Sequence, residues 1–173
     1  MSINSTAAQS KASPAYIIKN PKKVITDFTV TEDSKAAKAL NIQQKEQVTD
    51  LKKFLKNYDM TSISTNDLKK VGRKLFENDL ITEEAFSVFL YGSMAFDRNG
   101  RQTDTHVKFN AIALFDERLQ DHTAFLDTYT EKTKKEPGFL PWKQGMVIAN
   151  QAINALAYFA YSSKYDLSID EKV

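Results

Sequence analysis

Apolar residues recur at helical spacing along most of this chain. They are densest between 141 and 161, where PWKQGMVIANQAINALAYFAY reads as one helix. At 100° per residue, Trp142, Met146, Ala149, Ala152, Ile153, Leu156 and Phe159 with their small neighbours spread over roughly 200° of its surface, so other helices must cover it from more than one side. Lys143, Gln144, Asn150, Gln151 and Asn154 fill the narrow stripe left over. The pattern predicts a nearly central helix whose polar edge reaches water. Two long helices are expected to cover it. One starts at Thr31 or Asp33, runs to about Tyr58 and carries Ala37, Leu40, Val48, Leu51, Phe54 and Leu55 on one face. The other starts at Thr103 or Asp104, runs to about Thr133 and carries Val107, Ala111, Leu114, Phe115, Leu119, Phe125 and Leu126.

Between them, residues 59–90 carry the clearest local signals. Ser64 with Asp67 three residues on is a capping-box variant, followed by Leu68, Val71, Leu75 and Phe76 on one face. Asn78-Asp79 breaks that helix. Thr82 caps the next, with Glu83 and Glu84 in a first turn that favours carboxylates and Phe86, Phe89 and Leu90 as its apolar face. Gly72 beside Val71 marks a close helix crossing. The run Leu-Ile-Thr-Glu-Glu-Ala-Phe over 80–86 resembles the helix pairs of SHOCT-type short bacterial domains, with Asn78 and Asp79 standing where that family has a Gly before Ile-Thr. The resemblance implies a bacterial helical interaction element and no catalytic residue.

Residues 1–23, rich in Ser, Thr, Ala, Asn and Lys, show no sustained period and predict a flexible tail that contributes little to folding. Short starts of this composition are similar to those of type III secretion substrates, which implies a docking or export segment. Val24, Thr26, Phe28 and Val30 alternate like a short extended segment, one that lies over the body or pairs with a partner's edge. The expected organisation is therefore a tail over 1–30, a helical domain over 31–165 and a frayed end over 166–173. It is an all-α, single-domain bundle of about five helices.

Composition narrows the chemistry. With no cysteine among 173 residues there is no disulfide framework, thiol nucleophile or cysteine metal site. The apolar run 146–161 is interrupted by Asn150, Gln151 and Asn154 and falls short of the ~20 residues a bilayer needs, so no membrane span is expected. A cytoplasmic protein is expected, with export by a route independent of a signal peptide left open. Net charge is only +2, a weak attraction for polyanions. The basic excess sits early, where residues 1–40 hold six lysines against Asp27, Glu32 and Asp33. Around Asn99-Gly100, the calcium-loop register puts Ala95 and His106 where carboxylates are required, so that reading fails. On one helix, His106 and His122 would stand about 24 Å apart and cannot share a metal. No cofactor is expected.

One oddity remains. Arg118 and His122, at i and i+4, fall inside the apolar arc of their helix. They are either an anion or ligand site between helices, or an Arg whose stem packs while its head reaches a carboxylate or the rim and a His bonded to a backbone carbonyl. Asp116, Glu117, Asp121 and Asp127 read as solvated charge on the far side. A DNA-reading helix-turn-helix over 64–90 would put acidic and apolar residues into the groove, so nucleic acid is disfavoured. The preferred function is non-catalytic protein binding by a helical adaptor, regulator or secretion-associated protein. Val24, Phe28, Val30, Phe86 and Phe89 are its candidate contact residues, Arg118 and His122 are candidate ligand contacts for a rival ligand-binding or enzymatic bundle, and a homodimer stays open.

Overall fold

The computed structural model describes residues 11–131, 133–135, 137 and 139–170, the side chains of 133, 139 and 164–170 excepted. It is an all-α bundle. Among the described residues there are six α-helices and one two-stranded sheet, in the order α1 (Asp33–Ala39), α2 (Lys45–Leu55), β1 (Ile63–Ser64), α3 (Thr65–Phe76), α4 (Glu83–Tyr91), β2 (Lys108–Phe109), α5 (Ala111–Asp127) and α6 (Phe139–Asp170). The apolar arc of α6 is covered by α1, α2, α4 and α5, and α3 packs outside α4. Ala149, Ala152, Ile153, Ala155, Leu156 and Phe159 are all buried within the one chain. The central role expected of 141–161 holds, and α6 runs on to Asp170, past the start of the fraying expected from 166.

The polar stripe of α6 is a correction. Asn150 and Asn154 are buried, not wet, and Asn154 Nδ2 donates to the Asn150 carbonyl at 2.8 Å and to its Oδ1 at 3.3 Å. The covering helices close over these two asparagines while Gln144 of the same stripe stays exposed, so the Asn154 side chain bonds the backbone of the turn before it.

Three boundaries also move. The helix expected from 31 to 58 is two, because α1 closes with Asn41 at φ 52°, Ile42 N–H donating to Ala37 O at 2.8 Å and Asn41 N–H to Lys38 O at 3.0 Å. This is the Schellman closure, which an Asn can supply in place of Gly, with the buried Ile42 as its apolar contact. The helix expected from 103 to 133 begins only at Ala111, where the Asn110 side chain accepts the Ala113 N–H at 3.1 Å. Residues 103–109 instead form a loop, with Asp104 at φ 52° and β2 paired antiparallel to β1. His106 is therefore an exposed loop residue, and its expected place on the helix is wrong. That helix ends at Asp127. The hairpin at 64–91 forms as its caps indicate: Ser64 Oγ accepts from Asp67 N–H at 3.2 Å and Thr82 Oγ1 from Ala85 N–H at 3.3 Å. A Cβ on Gly72 would lie 2.5 Å from that of Phe89, so only glycine allows α3 and α4 to cross this closely. Gly145 does the same for α6 over α4, where a Cβ would meet Glu84 Cβ at 2.4 Å.

The largest correction concerns the tail. Residues 1–10 lie outside the described residues, but residues 11–30 are strapped across the bundle. Ser13 bridges Phe96, and Tyr16 N–H donates to Ser93 O at 2.8 Å. Farther on, Asn110 Nδ2 donates to the carbonyls of Pro21 and Lys23 at 3.0 and 2.5 Å. The extended segment expected over 24–30 is instead a turn in which Thr29 N–H donates to Thr26 O at 3.1 Å. Polar anchoring, which leaves no periodic trace in a sequence, does here what apolar packing does elsewhere.

Candidate functional site

The residues of α5 divide between two faces. Asp116 and Glu117, expected to be solvated, are buried beneath the strap. The Glu117 carboxylate accepts the backbone N–H groups of Lys19 and Asn20, both at 2.7 Å, and the Asp116 carboxylate pairs with Lys23 Nζ and accepts from Gln120 Nε2 at 2.8 Å. One turn on, Asp121 accepts from Tyr16 Oη at 2.6 Å and pairs with Lys19 Nζ at 2.7 Å. These bonds hold the Asp121 carboxyl below the usual range, Lys19 first and Tyr16 second. Burial, with Asp121 beside it, pushes the Tyr16 phenol well above its ordinary value. The early lysine excess thus has its counterpart on α5.

Between these acids in sequence, Arg118 is only 6% exposed. Its Nη1 is fully enclosed and has no hydrogen-bond partner. Among the described residues no carboxylate offsets it: burial pushes the guanidinium down to about 10, and the groups that pull it back up are the phenols of Tyr16 and Tyr91. It remains a cation at neutral pH all the same. His122, one turn later and half-buried, has an enclosed Nε2 that is likewise unpartnered. Burial, then Lys143, then Arg118 hold its imidazole below 6.5. Among the described residues, no carboxylate meets Arg118 Nη1 and no backbone carbonyl meets His122 Nε2.

Four elements close this corner. Tyr91, the last residue of α4, lies edge-on to Trp142 in the first turn of α6, with ring centroids 6.1 Å apart, and to Phe96 at 6.2 Å. Lys143 follows Trp142, and α6 has no acidic residue in its first turn, so its positive end adds to the cationic field. Tyr16 of the strap completes the ring. Tyr91 is 41% exposed; Phe125, one turn beyond His122 on α5, and Leu140, one turn before Lys143 on α6, are 54% and 58% exposed, with Phe125 edge-on to Tyr129 at 5.0 Å. The sequence pattern singles out Arg118 and His122 but not Tyr16, Tyr91, Trp142 or Lys143, which come from three other stretches of chain. Only their aromatic and cationic character was visible beforehand.

The apolar contact residues expected from sequence fall elsewhere. Phe89 is wholly buried against Gly72 and edge-on to Phe115 at 5.1 Å, so it is a core residue and offers no surface. Phe86 is half-buried and stacks on Phe76 at 4.8 Å. Phe28 and Val30 are half-buried against the core, and Val24 alone of the strap trio stands exposed. Concavities lie elsewhere on the bundle. A cavity of about 360 Å³ lies beneath the strap, lined by Ala15, Tyr16, Ile18, Phe109 and Leu114. An open groove of about 410 Å³ runs beside Phe54 and the exposed Lys70, Arg73 and Lys74, with Glu77 at its edge. Helix α4, the would-be DNA-reading element, buries Ala85, Val88 and Phe89.

Among the described residues, no group of three or more His, Cys, Asp or Glu could hold a metal ion, and no helix is long and apolar enough to cross a membrane. No protein-family model, curated protein or solved structure matches the chain. The likeness of 64–90 to SHOCT-type pairs is that of one capped helical hairpin to another.

Proposed function

We propose that this protein is a non-catalytic helical binding module that holds a segment of a partner protein at the corner where α4, α5 and α6 meet. One observation carries the reading: exposed Tyr91 acts on a desolvated arginine whose Nη1 has no partner among the described residues, with exposed Phe125 and Leu140 one helical turn from His122 and Lys143. Aromatic residues and arginine, gathered around a water-poor centre, are the composition in which binding energy concentrates at protein interfaces. The partner segment is apolar or aromatic with an acidic residue, since the corner presents Arg118 and Lys143 and no described carboxylate bonds to Arg118 Nη1.

Peptide display against the purified protein tests this. Enriched peptides should carry Asp or Glu beside an aromatic or aliphatic residue, and should quench or shift the emission of Trp142, the single tryptophan. Phe125→Asp and Leu140→Asp should abolish binding while the unfolding midpoint stays put, because both side chains are already in water. Peptides that bind both variants undiminished would place the interface elsewhere.

A further inference from the structure

We infer that Arg118 and His122 form a carboxylate-binding site, in which one oxygen of the acid accepts from Arg118 Nη1 and the other from His122 Nε2. The inference rests on the reading of this corner as the binding face and names the group that it takes. A buried guanidinium without a counter-charge is among the costliest arrangements a fold can keep, and a neighbouring enclosed imidazole nitrogen without a partner adds to that cost. Both lie on consecutive turns of α5, and both are coupled to the same surroundings, since Arg118 and Lys143 each act on His122. The free protein therefore holds two enclosed nitrogens, one of a cation and one of a neutral ring that donates when its proton sits on Nε2, where a planar anion would supply two acceptors.

The chemistry favours a carboxylate over a phosphate. Burial and the two cations keep His122 neutral near pH 7, so the enclosed donors number two, Nη1 and an Nε2–H, and the net local charge comes from Arg118 with Lys143 at the rim. Two donors match the two oxygens of a carboxylate, whereas a phosphate dianion would bring further oxygens that need partners in a dry site. The rings of Tyr91 and Trp142 suit the carbon skeleton that carries the acid. The acid could be a free small molecule or an Asp or Glu side chain of the partner segment. The chemistry is shared, and the two sources are separable.

The test follows the imidazole C–H signals of the full-length protein by NMR, with exposed His106 as internal control. Sodium succinate, sodium phosphate and sodium chloride are titrated at constant ionic strength, followed by a blocked peptide bearing Leu-Asp-Phe and its Leu-Asn-Phe twin. Succinate should move the His122 signal saturably and leave His106 in place, and bound acid should shift the titration of His122 upward. Arg118→Gln should weaken succinate by about tenfold or more, as expected for the loss of a charge-assisted hydrogen bond. His122→Asn removes the reporting imidazole and is followed through the emission of Trp142 beside Tyr91; at a less buried position, it should weaken succinate too and serves if Arg118→Gln does not fold. The Asp peptide should bind at least about tenfold tighter than its Asn twin. If succinate binds and the Asp peptide gains nothing over it, the site stands and takes a free acid, and the partner reading falls. If chloride matches succinate, if phosphate binds more tightly, or if both variants bind as the parent does, the carboxylate site is overturned. Peptides that still depend on Phe125 and Leu140 would then leave the binding face standing without it.

Discussion

At the scale of single residues, the molecule keeps one charge that its stability alone would discard. Arg118 is desolvated, and no carboxylate among the described residues repays it. Arg118→Met preserves the volume of the stem and removes the charge. It should raise stability by about 1–4 kcal/mol in urea unfolding, while succinate no longer moves the His122 signal. A loss of stability would mean that the guanidinium has a partner after all. Asp121 gives the opposite case. Its carboxyl is held below its ordinary 3.8 by Lys19 and Tyr16, so this contribution is complete above that value and fades as pH falls through it toward the lowered folded value. His122, held below 6.5, acts with the same sign: the unfolded chain takes up its proton first, and stability declines as pH drops beneath 6.5. Unfolding midpoints from pH 8 to 3 should therefore fall in two stages. In His122→Asn the upper stage should vanish.

At the scale of elements, the strap and the hairpin are held by different physics. The hairpin is held by packing, with Phe89 fully buried over Gly72, so Phe89→Ala should cost about 3–5 kcal/mol. Gly72→Ala should cost about 1–3 kcal/mol by pushing the two helices apart. Phe86, half-buried, is the smaller contributor of the pair. The strap is held by hydrogen bonds to buried carboxylates. Its deletion through residue 23, expected from composition to be nearly neutral, should instead cost more than about 1 kcal/mol, since charged hydrogen bonds are worth roughly 1.5–3 kcal/mol each. Glu117→Gln separates backbone anchoring from charge, because an amide keeps only one acceptor oxygen for the two N–H groups. Hydrogen exchange at Lys19 and Asn20 would then rise while that of α6 stays slow.

At the scale of the whole molecule, the bundle closes around α6 within one chain. Ala152 and Leu156 have no exposed surface, so Ala152→Leu should overpack the core at a cost of about 1–3 kcal/mol. Because α6 needs no second copy to cover it, unfolding midpoints should not change over a hundredfold range of concentration. A midpoint rising with concentration would instead mark a homodimer.

What the sequence determined by itself is what repeats along it. The apolar arc over 141–161 required a central helix, and Ser64 with Asp67 and Thr82 with Ala85 marked where the hairpin helices start, because caps and periodicity are local and leave a local signature. The i, i+4 spacing of Arg118 and His122 within an apolar arc was equally legible. Some breaks were written in residues whose meaning is conditional: Asn41 and Asn110 end or start helices only in the backbone states they adopt. The rest was decided by the tertiary structure. That Asp116 and Glu117 are buried depends on a strap 93–98 residues earlier in the chain. That Arg118 lacks a counter-charge depends on its neighbours Asp116, Glu117 and Asp121 all being engaged by that strap. The corner formed by Tyr16, Tyr91, Arg118, His122 and Lys143 has no sequence period, since it exists only where four separate stretches meet, and it is on such long-range convergence that binding chemistry rests.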